Sequence, residues 1–187
     1  MEPEELKQLK QEAEQVLAGA EQLYTAQQVE QALDRMAEEI TRDLQDKNPL
    51  LLCMMIGAVV VTGRLLPRLK FPLQVEYIHA TRYRGATSGG ELEQLRLPAD
   101  LLSNRTVLIV DDILDEGITL KAVVDACRDA GAGTIHTAVL IDKLLDSGKQ
   151  FDQLDYVGLT VPDKYVFGCG MDYKTYLRNC DGIYAVK

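Results

Sequence analysis

Val107-Leu108-Ile109-Val110-Asp111-Asp112-Ile113-Leu114-Asp115-Glu116-Gly117-Ile118-Thr119 carries the reading of the fold. Its first four residues are continuously apolar, the pattern of a parallel strand buried on both faces. Two adjacent carboxylates follow, then a short turn with glycine and a threonine where a helix begins. Ligands of parallel sheets gather beyond the carboxyl ends of the strands, so the same stretch is the first place to look for a site. Asp111, Asp112, Asp115 and Glu116 repel one another, and a fold that keeps them together calls for a compensating cation or a polyol ligand. The plainer alternative is a strand end with solvated acids and a capped helix. A glycine turn at a helix N-terminus exposes N–H groups suited to a phosphate monoester, and Thr119 either adds a hydroxyl donor or caps the helix. Vicinal carboxylates can accept from a ribose diol and hold Mg²⁺ through water.

Working outward, short β-rich runs alternate with helical periodicity. Strands are expected at 51–55, 74–81, 106–110, 134–141 and 156–159, and helices at 59–69 and 119–130, the latter closed by Gly131. This alternation predicts an α/β fold, a doubly wound, parallel-rich twisted sheet flanked by helices. Ahead of it, residues 3–18 and 26–46 read as helices. The second has Val29, Leu33, Met36 and Ile40 on one stripe, a Thr25/Gln28 capping box at its start, and Asn48-Pro49 at its end. A chain of 187 residues suits one domain. We divide it into a helical N-terminal segment (1–48), a core (49–155) and a C-terminal segment (156–187).

Charge narrows the function classes. The chain has 29 acidic and 20 basic residues, a net charge of -9. That balance argues against broad binding to nucleic acid or an anionic membrane. Residues 1–47 hold 12 acids and 5 bases, so most of the excess lies on the helical start and reads as a solvated face. Met1-Glu2-Pro3-Glu4-Glu5 lacks the basic start of a secretory signal. The apolar run 50–61 falls short of the about 20 residues of a membrane span. Cys53, Cys127, Cys169 and Cys180 are scattered, without a Cys-x-x-Cys pair, and are expected as free, mostly buried thiols. A cytoplasmic protein is expected.

Neither a Gly-x-Gly-x-x-Gly nor a Walker-type Gly-Lys-Thr occurs, which weakens dinucleotide and P-loop readings. The stretch 107–119 resembles instead the phosphoribosyl-pyrophosphate (PRPP) signature of type I phosphoribosyltransferases. Val161-Pro162-Asp163-Lys164-Tyr165-Val166-Phe167-Gly168, followed by Met171-Asp172-Tyr173 and Arg178-Asn179, resembles the purine-binding hood of the hypoxanthine-guanine branch. The resemblance runs in order from about residue 50 to 187.

It implies a hood built from the N- and C-terminal segments, and transfer of phosphoribose from PRPP to N9 of hypoxanthine or guanine. It also implies a role for each matching residue. Asp111 and Asp112 bind the ribose hydroxyls, directly or through Mg²⁺. Asp115 is the general base near purine N7. Residues Asp115, Glu116, Gly117, Ile118 and Thr119 hold the 5′-phosphate. Lys143 donates to O6, since an ammonium has donors only and favours a 6-oxo over a 6-amino group. Tyr165 stacks on the base, with Val166 and Ile113 beside it, and Lys164 supports the hood. Asp172 helps hold a second Mg²⁺ and faces the 2-position. Arg178 binds pyrophosphate, together with Ile56, Gly57 and Arg82. Residues 80–90 stand where the family has a mobile lid. The resemblance further implies a homodimer or homotetramer, with 65–68 as an interface segment, and the acidic balance leaves no nucleic-acid or membrane partner expected.

Three departures stand out. Met55-Ile56-Gly57-Ala58 has isoleucine where the family's pyrophosphate loop has lysine, Arg82-Tyr83 replaces a Ser-Tyr pair in the lid, and Glu116 stands where Thr or Ser is usual. They keep open a nucleotide-sensing regulator on the same fold; a xanthine-preferring enzyme stays open as well, because the sequence does not show which groups face the 2-position of the base.

Overall fold

The computed structural model describes the backbone of residues 3–82 and 92–187, and the side chains of these except 81, 82 and 92–94. Its main sheet has six strands: β2 (Leu50–Met55), β3 (Gln74–Arg82), β4 (Leu92–Arg96), β5 (Thr106–Leu114), β6 (Thr134–Leu144) and β7 (Tyr156–Pro162). They lie in the order β4-β3-β2-β5-β6-β7, all parallel except β4, which runs antiparallel to β3. Leu50–Met54, Val107–Val110 and Ala138–Ile141 are buried on both faces, as their unbroken apolar runs predict.

Helix α2 (Ala26–Leu44) covers β7 with Val29, Leu33, Met36, Ile40 and Leu44, all buried. Its N-terminus carries the expected capping box: Thr25 Oγ1 accepts from the Gln28 backbone N–H, and the Gln28 side chain accepts from the Thr25 N–H at 2.9 Å. Helix α3 (Val59–Leu65) is shorter than the span 59–69 predicted for it. Pro67 converts the remainder to a 3₁₀ turn over Leu66–Arg68, since a ring without an N–H does not extend an α-helical ladder. Leu65 is fully buried and Arg68 is tied to Glu30 and Asp34 of α2, so half of the expected 65–68 interface segment faces inward. Helix α4 (Ile118–Asp129) follows β5 and ends against Gly131.

A second, three-stranded sheet stands over the carboxyl ends of the main strands. It joins β1 (Glu21–Tyr24) to β9 (Ile183–Ala185) and β9 to β8 (Val166–Phe167), all antiparallel. N- and C-terminal segments therefore build one small hood. The first 48 residues are not wholly helical, because β1 separates α2 from α1 (Pro3–Gly19). The C-terminal segment starts inside the main sheet with β7. No helix among the described residues is long and apolar enough to cross a membrane.

Candidate active site

The chain turns outward from β2 to β3 on one side and from β5 to β6 and β7 on the other. Between β2 and β5 lies the switch point at which α/β sheets open a crevice. Register sets Cys53 beside Val110, which brings the turn after β2 over Asp112. The approach is close enough to require glycine: a Cβ on Gly57 would lie 2.2 Å from Asp112 Oδ2, and one on Gly170 would lie 2.1 Å from the Gly57 carbonyl. Asp112 is buried. The Asp111 carboxylate accepts the Asp112 N–H at 2.9 Å, and that of Asp112 accepts the Ile113 N–H at 2.9 Å. Burial, and then the adjacent Asp112 charge, push Asp111 well above the usual carboxylate range. Burial also raises Asp112, against the hydrogen bonds it accepts and the charge of Arg178.

These two acids do not follow the strand; they are part of it. β5 runs to Leu114 rather than stopping at 110, because β6 continues alongside and pairs Asp111 with Val139 and Ile113 with Ile141. Beyond Leu114 the turn Asp115-Glu116-Gly117 leads into α4. Gly117 has φ +82° and takes the N-cap position, so Thr119 sits inside the helix and does not cap it. A Cβ at Gly117 would also meet the Phe151 carbonyl at 2.6 Å. The Glu116 carbonyl accepts from Gln150 N–H at 2.9 Å while its side chain is exposed. Leu114, Asp115, Glu116, Gly117, Thr119 and Leu120 line a hollow of about 300 Å³ at this helix start.

A neighbouring cavity of about 380 Å³ is lined by Gly57, Asp112, Ile113 and Asp115 below and by Lys143, Tyr165, Val166, Met171, Asp172 and Arg178 around it. Lys143, nearly buried near the end of β6, donates to Asp115 Oδ2 at 3.2 Å and pairs with Asp163 Oδ1 at 3.2 Å. Tyr165 lies across the mouth, 53% exposed, and Val166 is buried within the hood at the start of β8. Arg178 pairs with Asp172 Oδ1 at 2.6 Å and donates to the Gly170 carbonyl at 2.6 Å. Thr175 N–H donates to the other Asp172 oxygen at 2.7 Å. A floor of carboxylates at a switch point, a half-open aromatic wall and two fixed cations are arranged for a flat, polar ring joined to an anionic group.

The match to the phosphoribosyl transferase domain family covers residues 19–174. The hypoxanthine-guanine-xanthine phosphoribosyltransferase of Tritrichomonas foetus is 33% identical over 162 residues, 84% of this chain and 86% of that one. The Bacillus subtilis hypoxanthine-guanine phosphoribosyltransferase is 30% identical, over 88% of this chain and 92% of its own. The chain belongs to the hypoxanthine-guanine phosphoribosyltransferase family. Its fold is the type I phosphoribosyltransferase fold, and a solved Staphylococcus aureus hypoxanthine phosphoribosyltransferase superposes with a TM-score of 0.79 at 26% identity, over 89% of this chain and 91% of that one.

Against the residues expected of a phosphoribosyltransferase, the cavity gathers Gly57, Asp112, Ile113, Asp115, Lys143, Tyr165, Val166, Asp172 and Arg178. Glu116, Gly117 and Thr119 line the adjoining hollow. Asp111 and Ile118 line neither. Ile56 is exposed outside both, so at this turn only Gly57 reaches the cavity. Lys164 points to the N-terminal half of the hood and pairs with Glu21 at 2.6 Å. The Arg82 side chain, and the expected lid from residue 83 to its end at 90, lie outside the described residues. Asp111, Asp112 and Asp172 do not form a metal cage: no group of three or more His, Cys, Asp or Glu side chains among the described residues is placed to hold an ion alone. Sequence reasoning missed Gly170 and gave no role to Met171 or Asp163, although both stand in the quoted hood motifs. Asp163 directly precedes the quoted Lys164-Tyr165, but nothing in the local pattern reveals its partner 20 positions back.

Proposed function

We propose that the protein is a purine-salvage transferase that moves the 5-phosphoribosyl group of PRPP to N9 of hypoxanthine or guanine, releasing pyrophosphate and forming IMP or GMP. The observation that carries this reading is the pairing of Lys143 with Asp115 in a cavity whose opposite wall is Tyr165. A 6-oxopurine stacked on Tyr165 presents O6 to the ammonium and N7–H to the carboxylate. In the reaction the N9 lone pair forms the bond to C1′ as the bond from C1′ to the pyrophosphate oxygen breaks, with inversion. Asp115 takes or shares the ring proton, a contribution of about 10² to 10⁴ in rate for a positioned base. Lys143 stabilises the charge that develops on O6. N–H groups of the 115–119 turn and the Thr119 hydroxyl hold the 5′-phosphate, and Arg178 with the Gly57 backbone holds pyrophosphate. Val166 contributes backbone contacts to the base edge.

The donor set fits Mg²⁺. Asp112 and Asp172 offer hard oxygens, and an ion held by one or two carboxylates fills its octahedron with water and substrate oxygens. When bound, the ion supplies neutralisation of the pyrophosphate charge. Asp111 and Asp112 remain our assignment for the ribose hydroxyls, with Asp111 supporting Asp112 through its backbone N–H. Arg82 remains our assignment for a pyrophosphate contact. Xanthine is a second acceptor worth the same assay, since the T. foetus relative is named for it. Exposed Ile56, Val59, Val75 and Tyr77 support a homodimer or homotetramer, and the composition supports a cytoplasmic protein. Spectrophotometric assays with hypoxanthine, guanine, xanthine and adenine, each with PRPP and Mg²⁺, test the proposal. Turnover of a 6-oxopurine without turnover of adenine is expected; no turnover of any 6-oxopurine overturns it.

A further inference from the structure

Helix α1 lies, but for its last residue, ahead of the 19–174 stretch that matches the family. It is mostly solvated, with Ala13 its one buried residue among those described. Yet Glu12, one residue before it, reaches the hood. Glu12 Oε1 accepts from the Tyr173 hydroxyl at 2.6 Å and from Lys174 Nζ at 2.6 Å. Lys174 Nζ also lies 5.7 Å from the centre of the Tyr173 ring. The bond to Glu12 is the contact that fixes the Tyr173 ring, since the exposed Lys174 ammonium lies at the outer limit of a ring contact. The ring of Tyr173 in turn meets Tyr165 edge-on, with centroids 5.6 Å apart and planes at 70°. Tyr165 is among the most exposed large hydrophobic side chains of the described residues, at 53%.

We infer that α1 braces the purine site: Glu12 positions Tyr173, and the edge of Tyr173 sets the plane of Tyr165 against which the base stacks. This rests on the proposed reading of Tyr165 as the stacking residue. Glu12 and Tyr173 are positioning residues and touch no substrate. An exposed aromatic free to rotate spends part of its time off the stacking plane, and binding then has to restore it. An edge-to-face contact contributes about 0.5 to 1.5 kcal/mol, which corresponds to a change of about two- to twelvefold in an equilibrium constant. The effect belongs on the base, because Arg178 and Asp172 are held by each other and by the Gly170 carbonyl and Thr175 N–H.

Two measurements test the brace, one without reference to turnover. The chain has no tryptophan, so Tyr165→Trp installs a single reporter in the wall of the site. Adding Glu12→Ala should increase its quenching by acrylamide and shift its emission to the red; identical quenching would overturn the inference whether or not the protein is an enzyme. In steady-state kinetics, Glu12→Ala and Tyr173→Phe should each raise KM for hypoxanthine by about three- to tenfold. kcat and KM for PRPP should stay within about twofold, and the double variant should be no worse than either single one. Lys174→Met, which keeps the carboxylate on Tyr173, should leave KM for the base nearly unchanged. Additive effects in the double variant, or equal rises in both KM values, would make α1 a general support of the loop and overturn its assignment to Tyr165. Loss of 6-oxopurine turnover in the unmodified protein would count against the proposed reaction and leave the fluorescence result to decide the brace.

Discussion

The two halves of the site are built by opposite strategies. Apart from Gly57 of the β2 turn, the floor comes from one contiguous stretch: Asp111 to Thr119 pass from β5 through a glycine turn into α4, held as far as Leu114 by ladder pairing to β6. The hood side is assembled from Lys143 on β6, Tyr165 and Val166 at β8, the 170–178 loop, and α1 from the far end of the chain. At its base burial pushes the Asp111 and Asp112 carboxyls upward, while Asp115 and Glu116 stand exposed at its rim. The hood side ends in a half-exposed tyrosine held by side-chain contacts. A contiguous, ladder-fixed floor suits the invariant partner, phosphoribose, while a wall of separately mounted side chains suits a base whose substituents differ. Changes to the floor should therefore act on chemistry and PRPP, and changes to the hood on the base.

Asp115 gives the largest effect. Asp115→Ala should lower kcat by about 10² to 10⁴, with much less loss of PRPP affinity, because the remaining backbone N–H groups of the turn still hold the phosphate. An equal loss of kcat and of PRPP binding would place Asp115 in substrate binding and erase the functional division of the floor. Next comes Gly57→Ala. A Cβ there would sit 2.2 Å from Asp112 Oδ2, and the carboxylate would have to leave the cavity. We expect KM for PRPP to rise about tenfold or more, on the scale of the 1 to 3 kcal/mol that overpacking costs, with KM for hypoxanthine little changed. Gly63→Ala is the control, since nothing lies within 4 Å of the corresponding Cβ. A rise in the base KM alone would show that the β2 turn belongs to the hood side.

The same asymmetry explains what could be read from the sequence. The floor was legible because strand, acids, turn glycine and helix start are adjacent, and each signals locally. Even there the end of β5 was placed too early. Aspartates disfavour strands by composition, but pairing to β6 carries the ladder through Asp111 and Asp112. The hood strands β1, β8 and β9 span 4, 2 and 3 residues, too short for alternation to register. Tyr165, Asp172 and Arg178 were found through family resemblance and not through periodicity. The contact of Glu12 with Tyr173 spans 161 positions, and no local pattern announces it.

Lys143 offers a finer test, because it joins the halves by bonding Asp115 of the floor and Asp163 of the hood, each at 3.2 Å. In the site we propose, the ammonium also serves O6, and its bond to Asp163 would then weaken its hold on Asp115 and leave that carboxylate for N7. Asp163→Asn should let Lys143 lean on Asp115 and raise KM for hypoxanthine about threefold, with kcat falling by a similar factor, the scale of a partly exposed ion pair. KM for PRPP should not move. A PRPP-specific defect would mean that Asp163 supports the floor.

The smallest expected effect concerns the scaffold that ties core to hood. Arg64 of α3 bonds Glu30 of α2 and also donates to Cys169 Sγ of the hood at 3.1 Å. The hydrogen bond from Arg64, followed by that from Arg68, holds the Glu30 carboxyl below its ordinary value of 4.5, against the opposing effect of burial. A depressed carboxyl contributes stability that is present above its unfolded pKa and is lost as pH falls through the folded value. Glu30→Gln should therefore lower Tm at pH 7 and approach the unmodified protein as pH drops below about 4.5. Glu30 is 44% exposed, so screening limits the difference to about 1 kcal/mol, or about 2 to 4 °C for a chain of this size. Melting curves from pH 3 to 7 measure it. A Tm difference constant across that range would assign the contribution to packing of the α2–α3 contact, and the Arg64–Cys169 bond would then act without help from the Glu30 charge.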